Sequence, residues 1–87
     1  MDKSLERKII SEIIGKHIRL ARTVKHNLTL ENTTELTDLD YNNLAKIERG
    51  EQLPSVPTLV KLYETLGISF DEIFDEIIKA LAEMRKS

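Results

Sequence analysis

Apolar residues recur every three or four positions along most of the chain, which is the spacing that places them on one face of an amphipathic helix. This pattern predicts five helices, over residues 4–25, 30–37, 41–49, 56–66 and 70–85. No stretch alternates apolar and polar residues as a half-buried strand would, and no segment repeats. We therefore expect an all-α fold in a single domain spanning residues 1–87.

Residues suited to helix ends separate the apolar stretches. Side chains that can accept a hydrogen bond from the first turn of a helix precede four of the stretches: Thr29, Asp40, Ser55 and Ser69. Asn27, Gly50 and Gly67 follow three stretches and favour the left-handed backbone that often closes a helix. Gly15 interrupts the first stretch and indicates either a close contact between helices or a kink that separates an N-terminal extension.

The fourth and fifth helices carry wide apolar faces. In the fourth we expect six residues to be buried: Val56, Leu59, Val60, Leu62, Tyr63 and Leu66. The fifth has a large apolar set for the end of so small a domain, so it either folds back onto the first helix or forms a dimer contact. The candidate dimer residues are Phe74, Ile77, Ile78, Leu81 and Met84.

The third helix combines a short apolar stripe with outward polar groups. Leu44 and Ile47 are three positions apart and share one face. Polar side chains surround this stripe: Tyr41, Asn42, Asn43 and Lys46. A short, half-buried helix of this kind suits the major groove of DNA, because asparagine and lysine can bond to base edges. The same pattern fits an ordinary helical hairpin, so periodicity alone does not decide between the two.

Composition narrows the possible classes of protein. The 87 residues include no cysteine, and no apolar run reaches the roughly 20 residues that span a bilayer. His17 and His26 have no third ligand at metal spacing, and the carboxylates near the C-terminus have no paired histidine or nucleophile. We therefore expect a soluble cytoplasmic protein that is not an enzyme, has no membrane association, and has neither a metal nor a cofactor.

The net charge of −2 is unusual for a nucleic-acid binder, which normally carries a basic surface. The charges are unevenly distributed, however, with acidic residues concentrated in the C-terminal third of the chain. Basic residues gather in the first and third helices: Arg7, Lys8, Lys16, Arg19, Arg22, Lys25, Lys46 and Arg49. One basic side of the molecule can therefore face DNA, with an affinity that depends only modestly on salt.

Short motifs are spread along the centre of the chain: IRLAR at 18–22, LT at 28–29, LAKIERG at 44–50, LPS at 53–55, TL at 58–59 and LGISFDEIF at 66–74. Their order and spacing resemble the Cro and phage-repressor type of helix-turn-helix domain, also called the XRE family. The resemblance covers residues 15–74 and implies a compact five-helix, lambda-repressor-like DNA-binding core. Residues 1–14 and 75–87 would then be helical extensions at the two ends.

The resemblance also implies roles for individual residues. The helix at 30–37 would cross the DNA backbone and the helix at 41–49 would enter the major groove. The positions that would contact DNA are Tyr41, Asn42, Asn43, Lys46, Arg49, Arg19, Thr29 and Leu30. Arg22 and Glu48 match a pair that forms a largely buried salt bridge between the first and third helices in this family. The implied protein is a homodimeric transcriptional repressor that binds double-stranded DNA.

Several positions in the first helix of the motif depart from the family pattern. Leu30 stands where the family usually has glutamine, so the polar contact from that position is missing. Thr33 and Thr34 replace a buried Leu-Ala pair, and Asp38 replaces the turn glycine. We expect weaker packing at Thr33 and surface positions for Leu30 and Leu36. With the acidic charge and the apolar last helix, these changes favour an alternative function: a protein-interaction module, such as an antirepressor, antitoxin or adaptor, on the same scaffold.

Overall fold

A computed structural model describes residues 2–86 of the chain. Over this range it contains five α-helices: α1 (Lys3–Leu20), α2 (Leu30–Thr37), α3 (Tyr41–Glu48), α4 (Val56–Leu66) and α5 (Phe70–Lys86). The predicted all-α fold and its five helices are confirmed, and the ends of α2 to α5 agree with the sequence prediction to within one residue. The one clear difference is at the end of the first helix.

Residues Ala21–Lys25 continue α1 as a π-helical turn rather than as regular α-helix. The backbone amide of His26 donates to the carbonyl of Ala21 at 3.0 Å, five residues back, which is the wider π-helical pattern. Asn27 then adopts the left-handed backbone expected of it, with φ of 53°. The chain leaves the helix at this point and turns towards α2.

The predicted capping residues hold the helix N-termini. The Thr29 hydroxyl accepts the backbone amide of Asn32 at 3.0 Å, and the Asn32 side chain accepts the amide of Thr29 at 3.3 Å, so the two bonds form a reciprocal capping box. Side-chain oxygens at the other three predicted caps also accept an amide from the first turn: Asp40, Ser55 and Ser69. The short helices therefore begin where their own side chains satisfy the free backbone donors.

The core of the described range is aliphatic. Its buried members come from α1, α3, α4, α5 and the α4–α5 connection: Ile14, Ile18, Leu44, Ile47, Leu62, Leu66, Ile68, Ile73 and Ile77. α5 packs back along α1, where Lys16 and His17 both hydrogen-bond to Glu76. These two hydrogen bonds hold the pKa of the Glu76 carboxyl below its usual range, and the bond from Lys16 has the larger effect. The last helix therefore folds back onto the first, as one of the two alternatives predicts.

Some expectations about burial are wrong. Val56, Val60 and Tyr63 in α4 are 72%, 48% and 52% exposed, so the apolar face of this helix is wider than the part its neighbours cover. Ile77, expected among the dimer residues, is only 7% exposed because it packs into the core of its own chain. It therefore offers little surface to a second copy.

The unusual residues of α2 are accommodated without an unpaired polar group. Thr33 is fully buried, and its hydroxyl donates to the carbonyl of Thr29 at 3.0 Å. Leu30 is half-buried: it packs against the core and remains partly accessible at the surface. Leu36 is 62% exposed, in agreement with its expected surface position. Asp38 takes the left-handed backbone of the glycine it replaces, with φ of 58°.

Gly15 lies at the closest approach of α1 and α3. A β-carbon at this position would lie 2.4 Å from the carbonyl oxygen of Ile47 and 2.7 Å from that of Glu48. The helix is continuous across Gly15, so this glycine serves a close helix contact rather than a kink. The missing side chain is what allows the backbone of α1 to reach the last turn of α3.

The Arg22 side chain joins the first and third helices on the same side. Its Nε and Nη2 atoms donate to the two carboxylate oxygens of Glu48 at 2.7 Å and 2.9 Å, and its Nη1 atom donates to the carbonyl of Leu28 at 2.8 Å. Both side chains are largely buried, with exposures of 12% and 6%. The hydrogen bond to Glu48 raises the pKa of Arg22, outweighing the opposite effect of burial. This bidentate pair fixes the end of α3 against the end of the first helix.

Gly15→Ala should lower the free energy of unfolding by about 1–3 kcal/mol, because the new methyl group would press on backbone carbonyls of α3 that cannot rotate away. At an exposed helical site the same change would stabilise the protein by about 1 kcal/mol. Urea denaturation monitored by circular dichroism measures the difference. Lys8→Ala, at an exposed position of α1, is the control. A Gly15→Ala variant as stable as the wild type would contradict the close contact.

Glu48→Gln should lower the free energy of unfolding by about 3 kcal/mol, because the Arg22 guanidinium stays buried without an opposite charge. The same urea titration measures this loss. Glu51→Gln is a matched control, since it removes a carboxylate from the exposed pair that Glu51 forms with Arg49. The control should be far less destabilised, because exposed ion pairs contribute little. Equal losses in the two variants would rule out a special role for the Arg22–Glu48 pair.

Candidate nucleic-acid interface

α3 turns one face to the core and the other to solvent. Leu44 and Ile47 are buried together with Ala45, whereas Lys46 and Asn42 are exposed. Tyr41 is 46% exposed and Asn43 is half-buried at the edge of the outer face. The structure therefore places the polar residues predicted for this helix on an accessible surface, opposite the stripe that holds the helix in place.

Backbone geometry at both ends of α3 determines how this face is presented. The left-handed Asp38 ends α2, and the Asp40 carboxylate accepts the amide of Asn43 at 2.9 Å to begin α3. After Arg49, Gly50 adopts φ of 76° and lies so close to Glu12 of α1 that a β-carbon would sit 2.8 Å from its side chain. α3 is therefore bounded by two tight turns and attached to α1 at its C-terminal end.

Two shallow grooves flank α3, and together they collect the remaining candidate residues. One groove includes Arg19, Leu30 and Arg49 among its lining residues. The other includes Thr29, Leu30 and Tyr41. Leu30 lines both grooves and therefore lies between them. Its side chain is apolar and offers no hydrogen bond there. The Thr29 hydroxyl oxygen accepts the amide of Asn32 as the cap of α2, and its O–H can still donate at this surface.

Two residues that the sequence analysis does not single out lie beside this face. Glu51 accepts from the Nε atom of Arg49 at 2.7 Å, and this hydrogen bond lowers the pKa of the Glu51 carboxyl. The Gln52 side-chain amide donates to the side-chain oxygen of Asn43. Gly50 is the feature of the sequence that could have identified both residues. A left-handed residue after a helix reverses the chain and can bring the next residues back alongside that helix.

The two histidines have structural partners. His17 Nε2 is 2.9 Å from Glu76, and His26 Nε2 is 2.7 Å from the carbonyl oxygen of Leu66. Residues 2–86 contain no group of three or more histidine, aspartate or glutamate side chains placed to hold a metal ion. Within the same range, no helix combines the length and apolar character needed to cross a membrane.

The exposed apolar surface of α5 is smaller than the sequence predicts for a dimer contact. Phe74 and Ile78 are 55% and 64% exposed, whereas Leu81 and Met84 are half-buried. Phe70 stacks between Tyr63 and Phe74, with ring centroids 5.4 Å and 6.3 Å apart. The accessible part of the α4–α5 surface is thus an aromatic row continued by Ile78.

Comparisons with known proteins agree on the type of domain. Residues 18–73 match the sequence pattern of a helix-turn-helix family. Control protein C.MunI of a Mycoplasma species is 32% identical over 75% of this chain and 88% of its own length. The uncharacterized HTH-type transcriptional regulator YazB of Bacillus subtilis is 35% identical over 72% of this chain and 90% of its own.

The fold has a solved counterpart. The crystal structure of the clp gene regulator ClgR from Corynebacterium glutamicum superposes with a TM-score of 0.69 and 25% sequence identity, covering 88% of this chain and 81% of that one. The family match includes α2, the turn at Asp38 and α3, and it extends from the end of α1 to the first turn of α5. This chain belongs to the XRE-type helix-turn-helix family.

Proposed function

We propose that this protein is a DNA-binding transcriptional regulator that inserts α3 into the major groove of double-stranded DNA. The observation that carries the proposal is the exposed polar face of α3, which the buried Arg22–Glu48 pair holds at the surface. The family assignment and the regulator-named relatives support the same function. Occupancy of a promoter would be the means of control, and repression the simplest outcome.

Each outward residue of α3 suits a different part of DNA. Asn42 carries an amide that can bond to an adenine edge, and Lys46 can reach a guanine or a phosphate. The Tyr41 hydroxyl can donate to a phosphate. Leu30, between the two grooves, can offer only an apolar contact, of the kind a thymine methyl group accepts. The interface would therefore combine a few polar base contacts with one apolar contact.

The charges are compatible with this arrangement despite the net charge of −2. Arg19, Lys46 and Arg49 are exposed on or beside the candidate interface, although Glu51 engages Arg49. Exposed acidic residues occur on α5, at Asp71, Glu72 and Asp75, and also beside the candidate interface, at Glu31, Asp40 and Glu51. The salt-dependent part of the affinity would thus be small, because few unpaired cations face the phosphates.

A homodimer would bind a two-fold symmetric site far more tightly than one domain alone, since the second half-site is then held at high local concentration. Phe74 and Ile78 are the exposed residues that best suit such a contact, with Leu81 and Met84 at its edge. They lie on α5, outside the grooves that flank α3. Dimerisation through α5 would therefore leave the candidate DNA interface free.

The alternative function, a protein-interaction module, is favoured by one specific observation. Leu36 in α2 is 62% exposed and is not among the residues that form the core or pack against it. An α2-centred partner surface predicts that Leu36→Glu abolishes capture of a stoichiometric partner while Ile78→Glu does not. If Leu36→Glu loses the partner but still binds DNA, then partner binding and DNA binding use different surfaces.

Lys46→Ala should reduce the slope of log affinity against log salt concentration by about 1, because one phosphate or base-edge cation is lost. Asn42→Ala should weaken binding to a preferred sequence by about 1–3 kcal/mol and relax the preference at one base pair. Fluorescence anisotropy with duplexes selected from random DNA measures both effects. Lys79→Ala, an exposed lysine of α5, is the control for charge. Equal behaviour of the two lysine variants would contradict α3 as the DNA-contacting element.

Ile78→Glu should weaken self-association by about tenfold or more, because a charged group would be desolvated in the contact between two copies of α5. Sedimentation equilibrium over a range of protein concentrations measures the dimer constant. Leu36→Glu introduces the same change on α2 and should leave self-association unchanged. A wild-type chain that stays monomeric at the highest concentration would exclude the proposed homodimer.

A further inference from the structure

An exposed ion pair lies at the C-terminal end of α3. The Nε atom of Arg49 donates to one carboxylate oxygen of Glu51 at 2.7 Å, and its Nη2 atom donates to the other at 3.4 Å. The two side chains are 56% and 55% exposed. The hydrogen bond from Arg49 lowers the pKa of the Glu51 carboxyl, and the charge of Lys46 lowers it as well, so Glu51 is ionised at neutral pH. Glu51 therefore adds an anion to a helix end that otherwise presents cations.

The backbone holds Glu51 beside Arg49. Gly50, between them, has a left-handed φ of 76°, and the amide of Glu51 donates to the carbonyl of Lys46 at 2.9 Å. Arg49 and Glu51 both line the groove beside α3 that also includes Arg19. The pair therefore lies on ordered backbone at the edge of the candidate interface.

Glu51 and a DNA phosphate would bind to the same donors. A guanidinium presents its N–H groups as a planar fork, which pairs with two oxygens of a carboxylate or of a phosphate. Glu51 takes the Nε and Nη2 side of Arg49, and its charge offsets that of the guanidinium. Two further exposed carboxylates near the interface, those of Glu31 and Asp40, form no ion pair within residues 2–86. Glu51 is therefore the carboxylate placed to keep a cation of the interface from the phosphates.

We propose that Glu51 is an autoinhibitory residue that competes with DNA phosphates for Arg49 and lowers the affinity for every DNA sequence by a similar factor. This inference rests on the proposed function, because it assumes that the C-terminal end of α3 lies against the DNA backbone. Binding without sequence preference comes from the cations that neutralise phosphates. Withholding one of these cations shortens the time that the protein spends on unrelated sites, which far outnumber any operator in a genome. The sequence preference itself is set elsewhere, by outward groups of α3 such as Asn42.

The test is a fluorescence anisotropy titration of the full chain with two duplexes, one selected from random DNA and one with the same bases in scrambled order. Glu51→Gln should tighten binding to both by about two- to fivefold at low salt, the range that an exposed ion pair supports when screening is weak. The slope of log affinity against log salt concentration should steepen by up to about 1, because one more cation meets a phosphate. Glu72→Gln removes the same charge from an exposed position of α5 and should leave both affinities nearly unchanged.

Arg49→Ala separates competition for Arg49 from a general effect of negative charge. In the wild type this substitution should cost little affinity, because Glu51 already engages the guanidinium. In the Glu51→Gln background it should cost more, so the gain from Glu51→Gln should largely disappear when both substitutions are combined. In the free protein, Glu51→Gln should also shift the Arg49 Nε resonance in a nitrogen-15 NMR spectrum.

The outcomes separate this inference from the proposed function. Tighter binding of Glu51→Gln to both duplexes, with a gain that depends on Arg49, supports the autoinhibitory role. An equal gain with and without Arg49, or no gain at all, overturns that role and leaves the proposed function intact if the wild type still selects a sequence. A wild type that enriches no sequence, but whose Glu51→Gln variant binds the scrambled duplex more tightly, overturns the proposed function alone. A wild type that binds neither duplex overturns both.

Discussion

The contact between α1 and α3 determines where the candidate DNA-binding groups lie. α3 has eight residues, and a helix this short is not stable alone in water, because forming its first turn costs more than its few hydrogen bonds return. Gly15 lets the α1 backbone approach the last turn of α3, and Arg22 holds the carboxylate of Glu48. The first contact sets the distance between the two helices, and the second limits the rotation of α3. The outward direction of its polar face follows from both.

The charge distribution indicates what kind of binding such a face can support. Three cations lie on or beside this face. Lys46 and Arg19 have no ion-pair partner within residues 2–86, whereas Arg49 is paired with Glu51. A DNA phosphate would have to compete with that carboxylate, whose pKa is already lowered by the same hydrogen bond. The electrostatic attraction common to all DNA sequences is therefore limited. In the proposed complex, base contacts from α3 would have to supply a larger part of the affinity.

The parts of the structure that depend on local chemistry follow directly from the sequence. Thr29 and Asp40 cap helices because their oxygens reach amides within three residues, and the sequence shows both partners. Burial is harder to predict, because helical periodicity identifies an apolar face without showing how much of it a neighbour covers. Tyr63 is exposed and Ile77 is buried for this reason. Both side chains belong to wide apolar faces, but Ile77 packs into the core whereas Tyr63 stacks on Phe70 at the surface.

The same limit applies to the candidate site. The outward residues of α3 follow from its period, but the Asn43–Gln52 bond joins positions on either side of a left-handed turn, and no helical period relates them. Residue type also does not show that Asn42 and Asn43 differ in their side-chain hydrogen bonds. Asn42 has no side-chain partner within the described range, so its amide can turn to either polarity. The Asn43 amide is hydrogen-bonded to Gln52, so its side chain has less rotational freedom to lose on binding. Two adjacent asparagines of identical chemistry therefore differ in side-chain freedom, because a neighbouring side chain contacts only one of them.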